Sequence, residues 1–71
     1  MEREVPIMPS SNLKRAVYDE ETKTLTCFLN GGVYRYSDVS QNTVQGLSDA
    51  DSSGKYFFNF IRNNHSFEKI G

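Results

Sequence analysis

Between two runs of strand-forming residues, T-L-T-C-F-L at 24 to 29 and V-Y-R-Y-S at 33 to 37, stand Asn30, Gly31 and Gly32. Asn and Gly accept the positive φ angles that tight hairpin turns require, so the chain is predicted to fold back here as an antiparallel hairpin. A short turn also sets the register, and register decides which face each side chain occupies. With a two-residue loop, either Asn30-Gly31 or Gly31-Gly32, Tyr34 stands opposite Cys27 or Leu29. Both registers put Tyr34 and Tyr36 on one face with Leu25, Cys27 and Leu29, and turn Arg35 to the other.

The run before it, L-K-R-A-V-Y at 13 to 18, is short and ambiguous as a pattern. The turn-like D-E-E-T-K that follows nevertheless predicts a first hairpin with T-L-T-C-F-L. If Tyr18 opposes Leu25, then Ala16 and Tyr18 join the tyrosine face. The opposite face then carries Val17, Thr26, Phe28, Val33 and Arg35, with Arg15 beside Phe28, so one register satisfies both hairpins.

Ahead of the hairpins, Pro6 and Pro9 followed by S-S-N predict an extended or irregular lead-in over residues 1–9. It holds a short edge strand at Val5 to Met8, with frayed residues before it. After Val39 the strand chemistry stops. Ser40 is placed to cap a helix whose Val44, Leu47 and Ala50 recur at helical spacing, although Gly46 weakens it by about 1 kcal/mol relative to Ala. D-S-S-G at 51 to 54 connects to a second helix capped by Ser52 or Ser53. There Phe57, Phe60 and Ile61 share one face, Tyr56 and Phe58 flank it, and Asn63 and Asn64 stop it. The alternating tail S-F-E-K-I fits either a short extra terminal strand or an apolar strap. The expected fold is α+β, a three-stranded antiparallel meander sheet followed by two helices packed on one face, with residues 10–71 as a single domain.

At 71 residues one domain is the limit, and nine Phe and Tyr residues supply much of the material for its core. Eight basic and nine acidic residues give a net charge of -1, so no global positive field draws the chain to nucleic acid or to an acidic membrane; binding of that kind needs a local patch. Cys27 is the single cysteine, which excludes an internal disulfide and a metal site built on paired thiolates. The start M-E-R-E-V-P-I-M-P has no apolar run suited to a signal peptide or a membrane span. A soluble, cytoplasmic protein is expected, without cofactor or metal.

S-S-N-L-K, then Y-D-x-E-T-x-T-L, then N-G-G-V-Y-x-Y, and finally G-x-Y-F followed by I-R resemble, in that order, the KTSC domain, a module named after lysyl-tRNA synthetase C-termini. The resemblance runs from Val5 to Ile70, and Tyr34 and Tyr36 match the family's central Y-x-Y. It implies a small stand-alone bacterial or phage protein or a C-terminal addition to a lysyl-tRNA synthetase, with RNA binding as the usual suggestion.

Two functional readings follow, neither of them enzymatic. In the first, RNA is bound by base stacking and phosphate contacts. The surface with an aromatic and two cations, Phe28 with Arg15 and Arg35, offers both, and so do Tyr34 and Tyr36 if their rings are exposed rather than packed into the sheet-helix interface. Lys14, Arg15, Lys55, Arg62 and Lys69 gather into a phosphate patch if the second helix begins near the first strand. In the second reading, exposed aromatics such as Phe58 or Phe28, or an unpaired strand edge, bind a host protein, as a phage or mobile-element regulator would. His65 has no partner in the sequence for a catalytic or metal constellation, Cys27 reads as a small hydrophobe within a strand, and Gly54-Lys55 lacks the spacing of a phosphate loop.

Overall fold

The hairpin around Asn30 is present, and it sets the frame of the molecule. In the computed structural model, which describes residues 1–8, 10 and 12–71, strands β3 (Thr24–Leu29) and β4 (Gly32–Tyr36) pair antiparallel. Leu29 lies opposite Gly32, Cys27 opposite Tyr34 and Leu25 opposite Tyr36, so the loop is Asn30-Gly31. The turn chemistry differs from the expectation. Neither loop residue has positive φ; that conformation falls on Gly32, at φ 142°. A turn without positive φ does not match the twist of the strands it joins, and the glycine after it absorbs the mismatch.

Strand β2 (Leu13–Asp19) pairs with β3 in the predicted register, Tyr18 opposite Leu25 and Ala16 opposite Cys27. A bulge between Leu13 and Arg15 explains why this run reads poorly as a strand. Leu13 and Ala16 are three apart, and both are fully buried on the same face. Strict alternation forbids that; one extra residue in the strand permits it, returning Leu13 to the face of Ala16 while Arg15 keeps the opposite face that alternation gives it.

The sheet is larger than the three predicted strands. β1 (Glu2–Glu4) pairs with β2, and β5 (Phe67–Lys69) pairs with β4, giving five antiparallel strands in the order β1-β2-β3-β4-β5. The tail is thus the extra terminal strand. The N-terminal edge strand is Glu2–Glu4 rather than Val5 to Met8, and the residues expected to fray are the ones that pair. Val5 instead turns inward, 2% exposed, its N–H donating to the Ala16 carbonyl at 2.9 Å. Pro6 then has no N–H with which to extend the ladder. The irregularity expected at Pro9 and Ser11 falls outside the described residues.

Both helices cover one face. α1 (Gln41–Asp49) is capped by Ser40, whose hydroxyl accepts from the Thr43 N–H at 3.2 Å, and it buries Val44 and Leu47, with Ala50 closing its C-terminus. α2 (Ser53–Tyr56) is capped by Ser52, accepting from Lys55 N–H at 3.3 Å, and runs directly into a π-helical segment, Phe57–Arg62. Ser53 is buried as a tie: its hydroxyl accepts from the Met8 N–H at 3.0 Å and donates to the Leu47 carbonyl at 3.4 Å.

The π geometry corrects the predicted helix face. Phe57 and Ile61 are fully buried, but Phe60 is 54% exposed. An α-helix turns about 100° per residue; the wider i→i+5 winding turns less, so Phe60 swings out while Phe57 and Ile61 stay in. Phe60 stacks on Tyr56 instead, ring centroids 4.8 Å apart. Asn63 and Asn64 end the helix by donating side-chain N–H groups to the carbonyls of Phe58 (3.3 Å) and Phe60 (3.1 Å). Among the described residues no helix is long and apolar enough to cross a membrane.

Candidate nucleic-acid interface

The uncovered face of the sheet carries the residues that alternation assigned to it. Glu4, Val17, Thr26, Arg35 and Glu68 form one row across all five strands. Beside it, the Arg15 guanidinium lies 4.9 Å from the centre of the Phe28 ring. Both arginines are occupied. Arg15 meets the Glu4 carboxylate at 2.8 to 2.9 Å, and Arg35 meets Glu68 at 2.9 Å. The guanidinium beside Glu4 holds that carboxyl below its usual value. As exposed pairs they contribute little to stability, but they cancel the charge that would attract a phosphate.

The other side of β4 gives a different surface. Tyr36 is 2% exposed and meets Phe57 edge-on at 5.4 Å, and Tyr34 is half-buried. The register of β5 places Phe67 opposite Tyr36 and Lys69 opposite Tyr34, which adds a third ring to the Y-x-Y pair. Phe67 lies 5.7 Å from Tyr34 and 5.6 Å from Tyr36, yet remains 56% exposed. These rings floor a concavity of about 400 Å³ between the strands and the π-helical segment, with Arg62, Asn63 and Asn12 on its walls. Burial pushes the Tyr36 phenol up, with the positive charge of Arg62 pulling the other way. Arg62 has no carboxylate within ion-pair distance among the described residues.

A second hollow of about 300 Å³ adjoins the first across Asn12 and is lined by Lys55, Phe58 and Asn59 among others. Lys14 projects from the β2 bulge and is exposed. Cys27 is fully buried between the tyrosine strand and β2, and burial raises its thiol to about 12, so it stays protonated and unreactive at neutral pH. His65 sits 3.1 Å from the Ser37 carbonyl, a local tie at the start of the tail.

A family model for the KTSC domain matches residues 9–67. The chain belongs to the KTSC domain family. A KTSC domain protein of known crystal structure from Yersinia pestis superposes with a TM-score of 0.88 at 25% identity, over the full length of both chains. A lysine–tRNA ligase of Nostoc punctiforme is 36% identical over 61 residues, which are 84% of this chain and 11% of the ligase. An uncharacterised protein of Stutzerimonas stutzeri is 37% identical over 59 residues, 82% of this chain and 83% of that protein. The KTSC domain therefore occurs both inside ligases many times its length and in proteins of about its own size.

Within this KTSC domain the residues singled out from the sequence divide between two faces. Arg15, Phe28 and Arg35 meet on the open sheet. Tyr34, Tyr36 and Arg62 meet in the aromatic groove, with Lys69 opposite Tyr34 on β5 and Lys55 in the adjoining hollow. The five cations do not form a single patch, because alternation from the buried Ala16 puts Arg15 on the far side of the sheet. Phe67, Asn12 and Asn63 escaped sequence reasoning. Phe67 was legible only as part of an alternating tail and Asn63 only as a helix stop, and the two asparagines become site residues only once a groove brings them together.

Proposed function

We propose that this chain is a small, non-catalytic RNA-binding accessory domain whose binding site is the aromatic groove. The observation that supports this most is the groove's composition. Exposed aromatic surface on Phe67 and Tyr34, an arginine with no carboxylate partner among the described residues and the amide side chains of Asn12 and Asn63 share one concavity. Rings stack unpaired bases, amides reach base edges, and a guanidinium engages phosphate. Similarity to a region of lysine–tRNA ligases supports RNA as the ligand, since those proteins are named for acting on a tRNA. The reading does not need the open face, where both arginines are held by glutamates.

A second reading is favoured by that open face itself. Its concavity of about 410 Å³ mixes Glu2, Glu4, Arg15 and Arg35 with Phe28 and Ile70. A surface of both charge signs around apolar residues suits a protein partner better than a polyanion.

Titrating the protein with a single-stranded uridine octamer separates the two. At low salt the octamer is expected to bind, with Arg62→Gln weakening it by at least about fivefold and Arg35→Gln by less than about twofold. Absence of binding at low salt, or the reverse order of the two variants, would contradict the groove reading.

A further inference from the structure

Nine acidic residues are spread along this chain, yet neither the aromatic groove nor the hollow beside it is lined by an Asp or Glu among the described residues. Each has one exposed aromatic ring, Phe67 in the groove and Phe58 in the hollow, at 56% and 48% exposure. Each has one cation without a carboxylate partner among the described residues, Arg62 and Lys55. Asn12 forms a wall of both. The ridge between them is Arg62, which lines the groove while its guanidinium lies 5.3 Å from the centre of the Phe58 ring. Gly54 lines the hollow against Ser10, whose hydroxyl oxygen would lie 2.8 Å from a Cβ placed there.

We propose that the two concavities form one track for two consecutive nucleotides of single-stranded RNA, an inference that rests on the RNA-binding reading of the groove. The first base stacks on Phe67, and the phosphate that follows it meets Arg62, which stacking on Phe58 holds in place. The second base stacks on Phe58, and Lys55 meets the next phosphate. The repeat of ring and cation along one acid-free surface matches the repeat of base and phosphate along a strand. A duplex, whose bases are already stacked on each other, has none to offer the rings.

The test compares uridine monophosphate, the uridine octamer and an RNA duplex, using amide chemical shifts and the salt dependence of binding. The octamer is expected to shift the amides of Phe58 and Asn59 together with those of Asn63 and Phe67, whereas the monophosphate shifts only the groove. Phe58→Ala should weaken octamer binding about 5- to 100-fold and the monophosphate far less, since it loses only the ring that steadies Arg62 and no stacking partner of its own. Lys55→Gln should reduce the slope of log affinity against log salt by about 0.7, the share of one phosphate contact. Both side chains are exposed, so the fold is expected to survive, as the remaining amide spectrum will show. If Phe58→Ala and Lys55→Gln leave octamer binding unchanged while Phe67→Ala weakens it, the track is overturned and the single groove stands. If the octamer does not bind at low salt, both fail.

Discussion

Tyr18 is 1% exposed, and its hydroxyl donates to the carbonyl of Val39 at 2.6 Å. That bond joins β2 to the segment that leads into α1, and burial pushes the phenol further up from its ordinary value. Tyr18→Phe keeps the packing but strands a buried carbonyl. It should lower unfolding free energy by about 1–3 kcal/mol in denaturant melts, with the fold unchanged. Sequence parity placed Tyr18, like Tyr36, on the buried face, because period two is a property of the strand alone. It could not supply the hydroxyl's partner. Val39 lies 21 residues away, and the meeting depends on how the chain leaves β4. The same limit hid the glutamates that occupy Arg15 and Arg35, since Glu4 and Glu68 reach them only from the two outermost strands.

At the scale of elements, the β3-β4 hairpin and both helix caps were legible because each rests on local chemistry: a short loop, and a serine with a free N–H three residues on. Three departures have equally local causes. The bulge at Lys14 breaks the alternation of β2, the π winding turns Phe60 out, and Gly32 takes the positive φ expected of the loop. Gly32 also carries the C-terminal end of the sheet. A Cβ there would lie 2.5 Å from the Gly71 carbonyl oxygen, which accepts from the Val33 N–H at 3.0 Å. Gly32→Ala should therefore cost about 1–3 kcal/mol from backbone strain alone. It should also raise hydrogen exchange at Val33 and Ile70, whose N–H groups bond across this edge; unchanged exchange there would show that the close approach is not needed.

For the whole molecule, a net charge of -1 conceals an uneven distribution. The open sheet pairs its arginines with glutamates, while the two concavities beside the π-helical segment are lined by cations and rings and, among the described residues, by no acid. The family resemblance drew attention to Y-x-Y, and alternation showed that its tyrosines turn inward. The structure adds that they end at the floor of a groove, where Phe67 from the tail and Arg62 from the helix complete a surface that neither tyrosine makes alone. That assembly was not legible in advance because it joins segments 33 residues apart across an edge strand of three residues.

Mapping the amide shifts that a single-stranded uridine octamer produces at low salt tests this account most directly. The account predicts that they cluster on Asn12, Tyr34, Arg62, Asn63 and Phe67 and spare Arg15, Phe28 and Arg35. Shifts centred on those last three residues, or no shifts at all, would contradict it.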